Sequence, residues 1–176
     1  TYAGMDISRD NGGVVDLDGT VVEELRVESP ATDVEAIEDA ITALVTELRS
    51  RHEIAAVGVG AAGYVDKARA VVMFAPNIAW RDVNLKAELE ERLDVPVVVE
   101  NDANAAAWGE FTYGAGHDID DLLMVAVGTG VGGGVVLDGE LFRGAFGVGA
   151  EIGHMRVVPD GIMCGCGNRG CLEQYG

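Results

Sequence analysis

The sequence predicts an α/β fold on three observations. Apolar runs of strand length alternate with stretches at helical spacing, Asp-Gly pairs sit between valine runs where hairpins turn, and no internal repeat or low-complexity tail competes. A chain of 176 residues with 48% apolar content can bury a core, as one ordinary domain or one and a half small ones.

The elements follow in order. Val14 and Val15, then Asp18-Gly19, then Val21 and Val22 read as a hairpin. Thr32 with Glu35 forms a capping-box pattern ahead of Ile37, Ile41, Leu44, Val45 and Leu48, predicting a helix that ends near His52. Ala55 to Val59 is a short apolar run bounded by small residues, expected as a buried strand in a sheet covered on both faces. Leu85, Leu89 and Leu93 stripe a second helix over 84–93, and Pro96 opens the strand Val97-Val98-Val99, which ends at Glu100-Asn101-Asp102. The run from Ala103 to Gly109 predicts a helix. An acidic linker, Asp118 to Asp121, leads to a strand over 122–127, a glycine-dense turn over 128–134, a strand over 135–137 and a hairpin turn at Asp138-Gly139.

Charge narrows the partners. Thirty acidic side chains against twelve Lys plus Arg give a net charge of −18, which argues against nucleic acid and anionic membrane surfaces. No window approaches the roughly 18 uninterrupted apolar residues of a membrane span, and Thr1-Tyr2-Ala3-Gly4 opens no export signal, so a cytoplasmic location is expected. The only lysines are Lys67 and Lys86. An acidic, lysine-poor surface fits a halophile, and equally a GC-rich genome that favours arginine.

His154, Cys164, Cys166 and Cys171 are four ligands of the number and kind that close a tetrahedral zinc site. Three thiolates and an imidazole leave no position open for water, so such a zinc would be structural. Gly165, Gly167 and Gly170 between the thiols supply the tight backbone of a metal knuckle. The alternative is three free thiols and a core histidine.

Glu151-Ile152-Gly153-His154, followed by Cys164-Gly165-Cys166-Gly167-Asn168-Arg169-Gly170-Cys171-Leu172-Glu173, resembles the signature of the ROK family of sugar kinases and sugar-sensing regulators. The resemblance implies an actin-like ATPase fold, related to ribonuclease H, with a sugar site in the cleft between two lobes over 1–110 and 111–176, the second incomplete. It implies that His154 turns one ring nitrogen to zinc and the other to a sugar hydroxyl, with Glu151 and Glu173 accepting from neighbouring hydroxyls. Val99-Glu100-Asn101-Asp102-Ala103-Asn104-Ala105 resembles the block carrying the catalytic aspartate. Asp102 is then the general base and also a sugar contact, and Asn101 and Asn77 bind the sugar. On the residues alone, Asp102 reads first as the cap of the Ala103 helix.

The 128–134 stretch resembles the second phosphate motif of that fold, with Gly128, Thr129, Gly130, Gly132 and Gly133 facing ATP, although a glycine run alone is as often a plain turn. Asp6 stands where the family places its first phosphate hairpin. The usual threonine is missing there and the hairpin is about two residues short, leaving Ser8 or Asn11 as substitutes. The resemblance implies ATP with Mg²⁺ as phosphoryl donor, a structural Zn²⁺, glucose or a related hexose as acceptor at its 6-hydroxyl, and a homo-oligomer, dimer or tetramer.

Ala61-Ala62-Gly63-Tyr64-Val65-Asp66 and Phe74-Ala75-Pro76-Asn77-Ile78-Ala79-Trp80 look most like glucokinase members. N-acetylmannosamine kinases and fructokinases are the rivals, and polyphosphate is a second possible donor. A sugar-sensing repressor is the other class, and it would need a basic helix-turn-helix domain outside these residues. The resemblance covers nearly all of this chain but only the first half to three fifths of a usual member. The expectation is that a second lobe ending here would expose apolar surface and lack the adenosine site.

If the acidic surface is halophilic, screening of self-repulsion raises the melting temperature steeply between dilute buffer and multimolar potassium chloride. A flat salt response in a thermal melt returns the surface to the ordinary acidic kind.

Overall fold

In the computed structural model, residues 1–6, 11–27, 33–76, 78–128 and 130–176 are described. Ser8, Thr32, Asn77 and Thr129, all named from the sequence, lie outside them. The chain divides into two compact units, Thr1–Asp102 and Ala103–Gly176.

The first unit opens with β1 (Tyr2–Asp6), β2 (Asn11–Val15) and β3 (Val21–Arg26), then α1 (Val34–Arg49) and β4 (Val57–Ala61). The short strands β5 (Tyr64–Val65), β6 (Val72–Phe74) and β7 (Arg81–Val83) form a separate three-stranded sheet, followed by α2 (Leu85–Leu93) and β8 (Val97–Asn101). The main sheet has the order β3-β2-β1-β4-β8. Its first two pairings are antiparallel hairpin contacts, whereas β1, β4 and β8 run parallel, with Met5 opposite Val59 and Val59 opposite Val99. The expected hairpin at Asp18-Gly19 is present, with the Asp18 carboxylate accepting the Thr20 N–H.

Alternation decides what the sheet buries. Ala3, Met5, Val57, Val59, Ala61, Val97 and Val99 point into one core with Ile37, Ile41, Leu44, Val45 and Leu48 of α1 and Leu85, Leu89 and Leu93 of α2. Gly58 and Val98, on the other face, are exposed. Among the described residues one face is covered, by α1 and α2, and the cover expected for the second face is not among them. A run such as Val97-Val98-Val99 is apolar at every position, so it carries no record of which face has a partner.

The α1 cap is also corrected. Asp33 is the N-cap, its carboxylate accepting the Ala36 N–H at 3.3 Å, one residue beyond the expected Thr32. The end is as expected: α1 closes at Arg49, and the turn continues until the His52 N–H reaches Leu48 O. Asn84 caps α2 through the Ala87 N–H. Arg92 of α2 pairs with the buried Glu38 at 2.8 Å and with Asp39 at 2.6 Å, pinning α2 to α1. Burial pushes the Glu38 carboxyl above its ordinary range while Arg92 opposes the shift.

α3 (Asp102–Tyr113) starts at the division between the units, and the second unit continues with β9 (Leu122–Val127), β10 (Val131–Leu137) and β11 (Glu140–Leu141). Asp138 and Gly139 both have positive φ, the two-residue type I′ turn expected of that pair. The lobe boundary read from the sequence fell after residue 110. Ala103 and Ala107, ahead of it, pack on β10 with the later chain.

The glycine-dense turn is shorter than expected. Gly132, Gly133 and Gly134 lie within β10, paired with Ala126, Val125 and Met124 of β9. Their absent side chains make room: a Cβ on Gly132 would stand 3.0 Å from Ala103 Cβ, one on Gly134 would overlap Ala107 Cβ and meet Ala103 O at 3.0 Å, and one on Gly133 would strike Ile152 Cδ1 at 2.6 Å. The small core beneath holds Ala107, Val136 and Leu141, with Phe111, Leu122 and Met124 against it. On the opposite face of β9, Leu123, Val125 and Val127 are 62%, 48% and 70% exposed.

Gly134→Ala forces α3 away from β10 and should destabilise by about 1–3 kcal/mol in denaturant unfolding. Gly109→Ala, in the same helix with nothing within 4 Å of the new Cβ, should be neutral or stabilising by up to ~1 kcal/mol.

Candidate functional site

The residues predicted to carry chemistry fall into two sets, one in each unit. In the first unit they gather at the carboxyl ends of the parallel strands. Asp6 closes β1 opposite Gly60, Gly60 lies opposite Glu100, and Ala61 lies opposite Asn101. Asp102 follows as the first residue of α3, and a Cβ on Gly60 would sit 3.5 Å from Met5 O and 3.8 Å from Asp102 Cα. Ligand sites of open α/β sheets form at this edge, because strand ends there deliver polar loops beside helix N-termini. Asn101 Nδ2 donates to Gly63 O at 3.1 Å, which fixes the amide plane. Asn11 lies opposite Asp6 and gives its amide to Glu24 Oε1 at 3.1 Å.

In the second unit, Glu151 leads a 3₁₀ turn over Ile152–His154, and Cys171 leads another over Leu172–Gln174. Between them the chain doubles back. Met163 bridges Arg169, the Cys164 N–H reaches Asn168 O, and the Gly167 N–H reaches Cys164 O, closing a tight knuckle. Gly170 has φ 77° and its absent side chain faces Val158 O, so no other residue fits there without moving the backbone. Tyr175 fastens the outer end, its hydroxyl accepting the Ile162 N–H at 2.8 Å.

The knuckle brings the four predicted ligands together. His154 Nδ1 lies 3.6 Å from Cys164 Sγ, Cys166 Sγ lies 3.7 Å from Cys171 Sγ, and all four donor atoms fall within 4.8 Å of one another. Zn–S and Zn–N bonds of about 2.3 and 2.0 Å at tetrahedral angles separate donor atoms by about 3.5–3.8 Å, so the quartet fits zinc. Burial, with the Glu173 carboxylate 2.9 Å away, pushes the Cys164 thiol up to about 12. Such a thiol ionises only when something stabilises the thiolate, as a divalent metal does.

His154 Nε2 faces the other way, 3.9 Å from Glu151 Oε2. Glu173 Oε1 lies 3.6 Å from His154 Nδ1, and its Oε2 is 3.1 Å from where a Gly130 Cβ would be. Glu151, His154, Glu173 and Gly130 thus form one neighbourhood. Gly132 and Gly133 belong to the strand that leaves it. Arg81 and Tyr175 carried no sequence signal, since each acts on main-chain carbonyl or amide groups, which any residue supplies.

A parallel-strand edge presenting carboxylates and an amide, with a thiol–imidazole knuckle further along the chain, defines a class of proteins. The chain belongs to the ROK family, whose model matches residues 2–176. It is 54% identical to the glucokinase of Streptomyces coelicolor over 163 residues, which are 93% of this chain and 51% of that protein. It is 38% identical to the xylose repressor of Bacillus subtilis, over 98% of this chain and 46% of the repressor. The crystal structure of a ROK family glucokinase from Streptomyces griseus in complex with glucose and AMPPNP superposes with a TM-score of 0.93 at 53% identity, over 99% of this chain and 56% of that one. The fold is therefore the actin-like ATPase fold of the ROK family, and the chain spans about half the length of the relatives it matches.

If the quartet holds zinc, the purified protein contains one equivalent by elemental analysis. Cys164→Ser should lower that content several-fold, and strong chelation should lower the melting temperature, since binding free energy at such a site is folding free energy. Unchanged metal content in Cys164→Ser would remove the assignment.

Proposed function

We propose that this chain is part of a cytoplasmic, homo-oligomeric hexose kinase that transfers the γ-phosphoryl group of ATP to the 6-hydroxyl of glucose. The observation that carries the reading is the placement of Asn101 and Asp102 at the carboxyl end of β8, at the same sheet edge as Asp6 of β1 with β4 between them, in a chain 54% identical to a glucokinase.

Asp102 accepts the proton of the attacking hydroxyl, as a carboxylate within hydrogen-bond reach can do in phosphoryl transfer. Asn77, Asn101, Glu151, His154 and Glu173 hold the sugar ring, carboxylates and amides serving as paired acceptors and donors for vicinal hydroxyls. Gly128, Thr129, Gly130, Gly132 and Gly133 are the residues that face ATP, with Asp6 on the metal side. Mg²⁺, when bound, neutralises charge on the phosphates. Zinc held by His154, Cys164, Cys166 and Cys171 would keep the knuckle folded and the imidazole in one tautomer, so that Nε2 stays available to the sugar.

The similarity to a xylose repressor supports a second reading, a sugar sensor. A sensor needs sugar contacts but no base, so the two readings part at Asp102. A coupled phosphorylation assay on the whole protein, with glucose, fructose, N-acetylmannosamine and xylose and with ATP or polyphosphate, separates them. Glucose with ATP is expected to turn over fastest. Asp102→Asn, nearly isosteric, should lower kcat by about 10²-fold or more while leaving glucose affinity within a few-fold. Sugar binding without turnover in the wild-type protein would favour the sensor.

A further inference from the structure

Arg81, at the start of β7, is exposed, yet its guanidinium turns back onto the main chain. Nη1 stands 2.7 Å from Ala75 O, 3.0 Å from Ile78 O and 2.6 Å from Trp80 O. The guanidinium carbon lies 4.2 Å over the Phe74 ring. Solubility asks for none of this, and a side chain held this way gives up hydration and rotamer freedom. What it holds is the segment 75–80, closed at its base by the Ala75 N–H to Trp80 O. Ala75, Ile78 and Trp80 are buried.

The segment leads to the strand edge. Ala75 is pressed against Gly63, where a Cβ would lie 2.9 Å from Ala75 Cβ and 2.7 Å from Phe74 O. Gly63 O accepts the Asn101 side-chain amide, and Asn101 precedes Asp102. Direct contacts thus run from Arg81 to Ala75, Gly63 and Asn101, all within the first unit.

We propose that Arg81 is a positioning residue of the sugar site: it touches neither sugar nor phosphate and sets the Asn101 amide through Ala75 and Gly63. This rests on the hexose-kinase reading. All three carbonyls surround one nitrogen, Nη1, whose two N–H bonds are shared among them, so lysine, which also donates from a single cationic nitrogen, is the conservative replacement and methionine, with no donor, is none.

The experiment uses the whole protein and sets glucose calorimetry and steady-state kinetics beside melting temperature for Arg81→Met and Arg81→Lys. Methionine keeps an unbranched apolar stem and removes every donor. The expected result is a rise in glucose Kd and KM on the order of 10-fold, with kcat and the KM for ATP within about 3-fold, and recovery of most of the loss in Arg81→Lys. In an Asn101→Ala background, Arg81→Met should cost less than it does alone, because the two act in one chain of contacts. Unchanged glucose affinity in a folded Arg81→Met protein overturns the proposal, and so does an equal fall in all parameters that follows the folded fraction. Should Arg81→Met not fold, Arg81→Gln decides by the same two outcomes. A wild-type protein that binds no hexose overturns the kinase reading and this proposal together, and that failure is distinguishable because it appears before any substitution.

Discussion

The register of the parallel ladder β1-β4-β8 is the constraint on which the first unit rests. With Met5 opposite Val59 and Val59 opposite Val99, every second side chain enters the core under α1 and α2. A slip of one residue in any strand would turn valines to solvent and Gly58 or Val98 inward, so burial of one face holds the alignment. The same alignment brings the ends of the three strands level. Asp6, Gly60 and Asn101, far apart in sequence, meet at one edge because their strands run in one direction and are in step. The gathering of these polar residues at one edge is a by-product of the register that buries the core.

The second unit depends on close approach. Ala103 and Ala107 of α3 sit where side chains on Gly132 and Gly134 would be, so the helix lies almost on the β10 backbone. On the other side of β10, Gly133 admits Ile152, which places the turn leading to His154. Residues that look like one phosphate-binding run therefore divide their duties. Gly128 and Gly130 belong to the turn beside Glu173, while Gly132 to Gly134 let three segments converge.

Glu173 ties the knuckle to that turn. One carboxylate oxygen lies against Cys164 and His154 and the other toward Gly130, so one side chain borders both. A carboxylate this close to a buried thiol favours the protonated thiol, and a cation among the four donors reverses that preference. The knuckle is thus chemically consistent with a resident metal.

What the sequence determined by itself was local. The stripe Leu85, Leu89, Leu93 behind Asn84, the turn at Asp138-Gly139, and the quartet His154, Cys164, Cys166, Cys171 depend on spacings within about one or two turns of chain or one short loop, which a linear reading contains. Asp102 following a strand end was legible too, since Val97 to Val99 and the alanine run after it set that junction. The tertiary structure alone decided which face of the β1-β4-β8 ladder is covered, that Gly132 to Gly134 are strand rather than turn, that Ala103 and Ala107 pack with the later chain, and that Arg81 reaches Ala75 and the path to Asn101. Each of these rests on contact between segments whose separation along the chain has no period or spacing to record it, so the physics that fixes them is packing and not local preference.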